Sequence, residues 1–261
     1  MARLPPAAAR RLAIALLVAA AAAAVRAAGT DYCTDVTCRT GTQHTMCLFP
    51  ASGPAANCSQ PNAAASTVSA ADISEILSAH NAIRQAVRAG QYAANNLPAA
   101  SVMPDLAWDA ELAAVAQRWA DQCQQGHDQC RSVPRFQVGQ NAAWAWGYAK
   151  NWTSRAVDYW FHGELANFQQ QNLTFTQGTD RVSGQVIGHL TQVIWADTTL
   201  VGCGFTETID FSFHNLTKRS YFCNYGPAGN LINQEIYIPA AGGSATAAPT
   251  TAAPTTAQTS C

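Results

Sequence analysis

The sequence predicts an α+β domain or a layered sandwich, stapled by disulfides at its N-terminal end, and not a doubly wound sheet. Three observations predict it. Stretches of helical periodicity mix with short β-like runs, without a β-α-β rhythm. Nine cysteines occur in 261 residues, more than a reduced cytosol favours. Hydrophobic residues make up 48% of the chain and charged residues 12%. That supplies a core and excludes a wholly disordered chain.

The elements follow in order. Arg3, Arg10 and Arg11 precede an apolar run from Leu12 to Ala24, which reads as a secretory signal over residues 1–27. A transmembrane anchor is the alternative, but the run is short for a bilayer and rich in weakly hydrophobic alanine. No later stretch is long and apolar enough to span. Residues 28–69 form a turn-rich extension with Cys33, Cys38, Cys47 and Cys58, which needs staples because it cannot bury much core. Residues 70–240 carry the globular signals. A first helix begins at Asp72 as N-cap with Glu75 at N3, places Ile73, Ile76, Leu77, Ile83 and Val87 on one face, and stops at Gly90. A second runs from Asp109 to near Gly126 with Leu112, Val115, Ala116, Trp119 and Cys123 on one stripe. A third spans Ser154 to Phe168. Leu200 to Thr208, Ser220 to Asn224 and Ile236 to Ile238 read as strands. Residues 241–261 are a Thr/Pro/Ala-rich tail read as disordered.

The formal net charge is -1. Without the leader's four arginines, 11 basic residues face 16 acidic ones and the charge is -5. An acidic chain does not fit nucleic acid or an anionic membrane. Four Asn-x-Ser/Thr sequons, at Asn57, Asn151, Asn172 and Asn215, are candidate glycan sites in an exported chain.

Two segments carry a resemblance. The first is Gly188-His189-Leu190-Thr191-Gln192-Val193-Ile194-Trp195, followed by Gly202-Cys203-Gly204. The second is Tyr221-Phe222-Cys223-Asn224-Tyr225-Gly226-Pro227-Ala228-Gly229-Asn230. Both resemble signature elements of the CAP superfamily, which groups cysteine-rich secretory proteins, venom antigen 5 and plant pathogenesis-related proteins. His80-Asn81 with Arg84, and Met103 to Asp109, resemble its entries to the first two helices. The cysteine-dense front end, with Cys123 and Cys130, resembles the arthropod venom and salivary antigen 5 branch. The fold this implies is a three-layer α-β-α sandwich with a central antiparallel sheet. The pairing it implies is Cys33–Cys47, Cys38–Cys130, Cys58–Cys123 and Cys203–Cys223. Cysteine count alone leaves 105 pairings open for eight cysteines.

From the residues alone, His127, Glu164 and His189 stand out as two imidazoles and a carboxylate able to ligate zinc or another divalent ion. The family's cleft tetrad has two His and two acids. His127, His189 and Glu164 match three of its positions. Gln140, beside Asn141, stands where many members have Glu, and a neutral amide is a poor ligand and no general base. His80 is expected to be a hydrogen-bonded core histidine, and His44, His162 and His214 to be exposed. Trp108, Trp119, Trp160 and Trp195 are expected in the core, and Asn141 on backbone near the cleft.

The resemblance implies a secreted, non-catalytic protein, a venom or salivary component. It would bind small hydrophobic ligands (sterol, fatty acid, eicosanoid) and a divalent metal. A metal-dependent hydrolase or redox site is one alternative. A module presenting loops such as Thr174 to Ser183 to a host receptor or channel is another. The chain is read as a monomer, with Cys261 left over as a lone terminal thiol.

Overall fold

A computed structural model describes residues 30–50, 53–56, 58 and 66–241. The signal over 1–27, the sequon residue Asn57, the tail beyond 241 and Cys261 lie outside the described residues.

A four-stranded sheet forms the centre. Its order is β1 (Ala107–Trp108), β4 (Leu200–Asp210), β5 (Leu216–Gly226) and β2 (Gly139–Trp146). β5 pairs antiparallel with both long neighbours, setting Cys203 opposite Cys223 and Gln140 opposite Asn224. The short edge strand β1 pairs parallel with β4, so the sheet is antiparallel except at that edge. A second ladder joins β3 (Thr174–Phe175) to β6 (Gln234–Glu235). Pairing therefore falls just before the expected Ile236–Ile238, whose Ile236 and Tyr237 are buried in the core.

One face of the sheet carries α3 (Ala110–Ala120). Gly202 and Gly204 let it lie on the strand backbone. A Cβ at Gly202 would stand 2.2 Å from Ala113 N, and one at Gly204 2.3 Å from Gln117 N. On the other face, Cys203, Phe205, Tyr221 and Tyr225 belong to one core with Trp152, Trp160, Phe161 and Trp195. That core includes residues of α2 (Ala70–Arg88), a π-helical turn (Thr153–Val157), α4 (Asp158–Leu165) and α5 (Gly188–Val193). Each fully buried aromatic contributes roughly 1.5–3 kcal/mol. The result is three layers.

Several boundaries differ from expectation. α2 starts earlier: Ser69 is the N-cap and Asp72 sits at N3, each side chain accepting from the other's backbone N–H. Two alanines, the best helix formers, fill the added turn. α3 ends at Ala120, where Cys123 (φ 57°) is tied to Cys58. The expected helix from Ser154 to Phe168 is split into the π turn and α4. β2 has no counterpart in the expectations, because its sequence GQNAAWAW is poor in strand formers.

Four disulfides join Cys33 to Cys47, Cys38 to Cys130, Cys58 to Cys123 and Cys203 to Cys223. The second and third close loops of 92 and 65 residues, a restraint worth a few kcal/mol each. His44 is buried, not exposed as expected. It caps α1 (Thr45–Leu48) through Nδ1, bonds Ser132 O through Nε2 and stacks on Tyr32. His162 and His214 are exposed. Trp119, Trp160 and Trp195 are buried, while Trp108 is half-buried against the core.

Arg84 of α2 is fully buried. Its guanidinium donates to the carbonyls of Pro104, Val193, Trp195, Ala196 and Thr198. Burial pulls its pKa down to about 10, so it stays charged at neutral pH. It pins the chain leaving α5, the helix that carries His189. No helix among the described residues is long and apolar enough to cross a membrane.

Candidate functional site

Three segments build the cleft. The loop after α3 carries His127 and Asp128, β2 carries Gln140 and Asn141, and α4 with α5 brings Glu164 and His189 together.

Glu164 is buried. Its Oε1 accepts from His189 Nδ1 at 2.5 Å and its Oε2 accepts from Leu190 N at 2.9 Å. Both oxygens therefore hold the first turn of α5. A carboxylate bonded to Nδ1 fixes the tautomer and leaves Nε2 as the available imidazole nitrogen.

His127 is held differently. Its Nδ1 donates to Gln140 Oε1 at 2.7 Å. The amide cannot turn over, because Gln140 Nε2 donates to Asp128 Oδ1 at 3.1 Å and to Asn224 Oδ1 at 2.9 Å. Asn224 in turn donates to Leu112 O. Asp128 is buried and also accepts from Thr45 and Arg131. Desolvation lowers the His127 pKa against the Gln140 bond, and the positive charges of Arg131 and His189 lower it further.

A third chain supports the cleft from beneath. Asn141 donates to His189 O at 3.1 Å and to the Tyr225 hydroxyl at 3.4 Å. Tyr225 donates to His80 Nε2 at 2.8 Å, and His80 Nδ1 donates to Ile76 O. Burial lowers the His80 pKa to about 4. It is neutral at pH 7, a core histidine as expected.

A metal needs donors that are free to turn to it. Among the described residues no three His, Cys, Asp or Glu side chains are grouped to hold one. Of the expected His127, Glu164 and His189, the structure joins Glu164 and His189 by one hydrogen bond, with Glu164 on the Nδ1 side of the ring. The two Nε2 atoms are the cleft's remaining imidazole donors. Sequence reasoning missed Asp128 and Asn224, although one adjoins His127 and the other lies inside the second motif.

A model of the cysteine-rich secretory protein family, CAP, matches residues 77–225. The chain belongs to the CAP family. Venom allergen 5 of Brachyponera chinensis is 43% identical over 202 residues, which cover 76% of this chain and 98% of that protein. A venom allergen 3 homolog of Dinoponera quadriceps is 38% identical over 213 residues, covering 80% and 89%. Venom allergen 5 of Vespula maculifrons is 35% identical over 220 residues, covering 79% and 98%. Among solved structures, NaASP2 with Zn2+ is similar with TM-score 0.53 and 29% identity, covering 72% of this chain and 91% of that one. BmVAL-1 is similar with TM-score 0.50 and 26% identity, covering 66% and 84%. The α+β CAP fold and the kinship to venom allergen 5 proteins read from the motifs both hold.

Proposed function

We propose that this CAP protein is secreted and works by binding rather than by catalysis. Residues 1–27 act as its leader, 28–69 as the disulfide-tied extension, 70–240 as the CAP domain and 241–261 as a Thr/Pro/Ala-rich tail. The observation that carries the reading is the locking of Nδ1 on both His127 and His189 by fixed acceptors. Each ring held in this way presents Nε2, the nitrogen that a metal would take. Gln140, the partner of His127, has no proton to take or give as a base.

A divalent cation such as zinc would be held by Nε2 of His127 and His189, with water completing its shell and Gln140 and Glu164 orienting the rings from behind. The similar NaASP2 structure with Zn2+ supports this reading. Calorimetric titration of the full chain with zinc tests it. His127→Ala and His189→Ala should each lose binding, and Glu164→Gln should weaken it about 10–100-fold. Undiminished binding in the double histidine variant would refute it.

A small hydrophobic ligand is the second part of the reading. A groove of about 500 Å3 runs between the N-terminal extension and the domain, with Val36, Val133, Phe136, Val138 and Leu231 in its walls and Arg39 at its edge. Polar and charged residues, among them Asp35, Arg39 and Arg131, share the lining with these apolar ones, which suits an amphipathic molecule such as a fatty acid or eicosanoid. Displacement of a fluorescent fatty acid measures it. Absence of saturable binding to fatty acid, sterol and eicosanoid alike would sink this part.

A further inference from the structure

A second aromatic surface lies at the end of β2 away from Gln140. Trp144, Trp146, Tyr148, Arg155, Tyr159 and Phe213 line a groove of about 430 Å3. Tyr148, Tyr159 and Phe213 are 53%, 61% and 49% exposed. The Trp146 ring is fixed by its Nε1 donating to Asp210 Oδ2 at 2.8 Å, and it lies 5.8 Å from the Phe213 ring. The Arg155 guanidinium stacks 3.6 Å over Tyr148. Exposed aromatics gathered in this way mark a contact surface.

Phe213 belongs to the turn between β4 and β5. Leu216 N donates to Phe213 O at 3.0 Å, and His214 and Asn215 both have positive φ, 54° and 55°. Two successive positive φ values make a β-turn over residues 213–216 at the end of the five-residue connection 211–215, a conformation in which asparagine is favoured. Asp210 Oδ1 accepts from Ser212 N and Phe213 N and holds the approach. The turn presents Asn215, exposed, two residues after Phe213 and at the head of Asn215-Leu216-Thr217. Asn151 and Asn172, the other described sequon residues, have Ala149 and Gln170 at that preceding position.

We infer that a glycan on Asn215 folds back onto Phe213 and Trp146, so that its first N-acetylglucosamine occupies this aromatic groove. The inference rests on the secreted reading. The modification forms a bond from Asn215 Nδ2 to sugar C1, breaks the C1–oxygen bond to a lipid-linked diphosphate donor and releases one amide proton. One face of the pyranose presents C–H groups, which match the electron-rich face of an aromatic ring. The exposed Tyr148, Tyr159 and Phe213 rings leave room for a flat sugar ring with its other face in water. The tether supplies a high effective concentration, so weak stacking suffices to hold the sugar.

The test uses the full chain made in insect cells, with Asn57, Asn151 and Asn172 each changed to Gln so that Asn215 is the remaining sequon. One arm uses the chain's own leader and a parallel arm a host leader. Intact mass should show an occupied Asn215. Enzymatic removal of the glycan should lower Tm by about 2–4 °C, and the same removal from Phe213→Ala should leave Tm nearly unchanged. Proton NMR of the glycosylated chain should show upfield-shifted sugar signals that return to normal in Phe213→Ala. An unoccupied Asn215, or an equal Tm drop in both backgrounds, overturns the inference and leaves the groove to some other partner. Export by the host leader alone would instead count against the secreted reading and leave the glycan result intact.

Discussion

Replacing Gln140 with Glu would place in this cleft the carboxylate that many CAP members carry, and here it should destabilise the fold. The Gln140 amide donates at 3.1 Å to Asp128 Oδ1 and at 2.9 Å to Asn224 Oδ1. A carboxylate has no proton for either. Two like charges about 3 Å apart repel by on the order of 5 kcal/mol at an effective dielectric near 20. Protonation caps that cost, since keeping a carboxyl of ordinary pKa in its acid form at pH 7 costs about 3.7 kcal/mol. Arg131, already on Asp128, offsets part of it. Protonating His127 offers little relief, because desolvation disfavours its cation. The expected loss is about 2–4 kcal/mol at pH 7. The sign with pH follows. The added carboxyl's folded pKa lies above its unfolded value, so the loss is full above the folded pKa and vanishes below about pH 4.3. Urea unfolding of the variant and its parent at pH 7 and pH 4.5 measures it. Equal stability at pH 7, or the same loss at both pH values, would refute the reasoning.

Burial pushes the Asp180 carboxyl up, but backbone N–H donors from Ser183, Gln170, Val182 and Gln169 outweigh it and hold the pKa below the ordinary value. Its contribution is present above about pH 3.9 and lost as pH falls through the folded pKa; Asp180→Asn should cost about 1.5–3 kcal/mol at pH 7 and less near pH 3, read by acid-dependent urea unfolding. Gly204→Ala drives a Cβ into the backbone of α3 and should cost about 3 kcal/mol or more, seen as a lowered Tm. Arg84→Lys offers three donors to five carbonyls and should cost about 3 kcal/mol, read by urea unfolding. Unchanged stability in either variant would contradict the packing described.

Much of the fold was legible because its signals are local. The apolar stripe of Ile76, Ile83 and Val87 repeats at helical spacing, and all three are buried. The second helix was expected to run from Asp109, and there Asp109 is the N-cap, its side chain accepting from Leu112 N. β2 was not legible, since alanines become a strand only when β5 lies beside them. The start of α2 was misplaced by a turn because Ser69 and Asp72 are both competent caps, and only the reciprocal bond distinguishes them. His44 looked exposed because its partners, Tyr32 and Ser132, are brought to it by the folded extension.

The sequence by itself determined the family and the α+β class, because its motifs and periodicities are local, and it offered His127, Gln140, Glu164 and His189 as candidates for the cleft. Tertiary structure alone decided what each one does there. Glu164 bonds His189 Nδ1 from 25 positions away, and Gln140 is locked by Asp128 and Asn224, residues 12 and 84 positions away. The physical reason is that a hydrogen bond depends on direction and distance between groups far apart in the chain. Spacing along the sequence records neither.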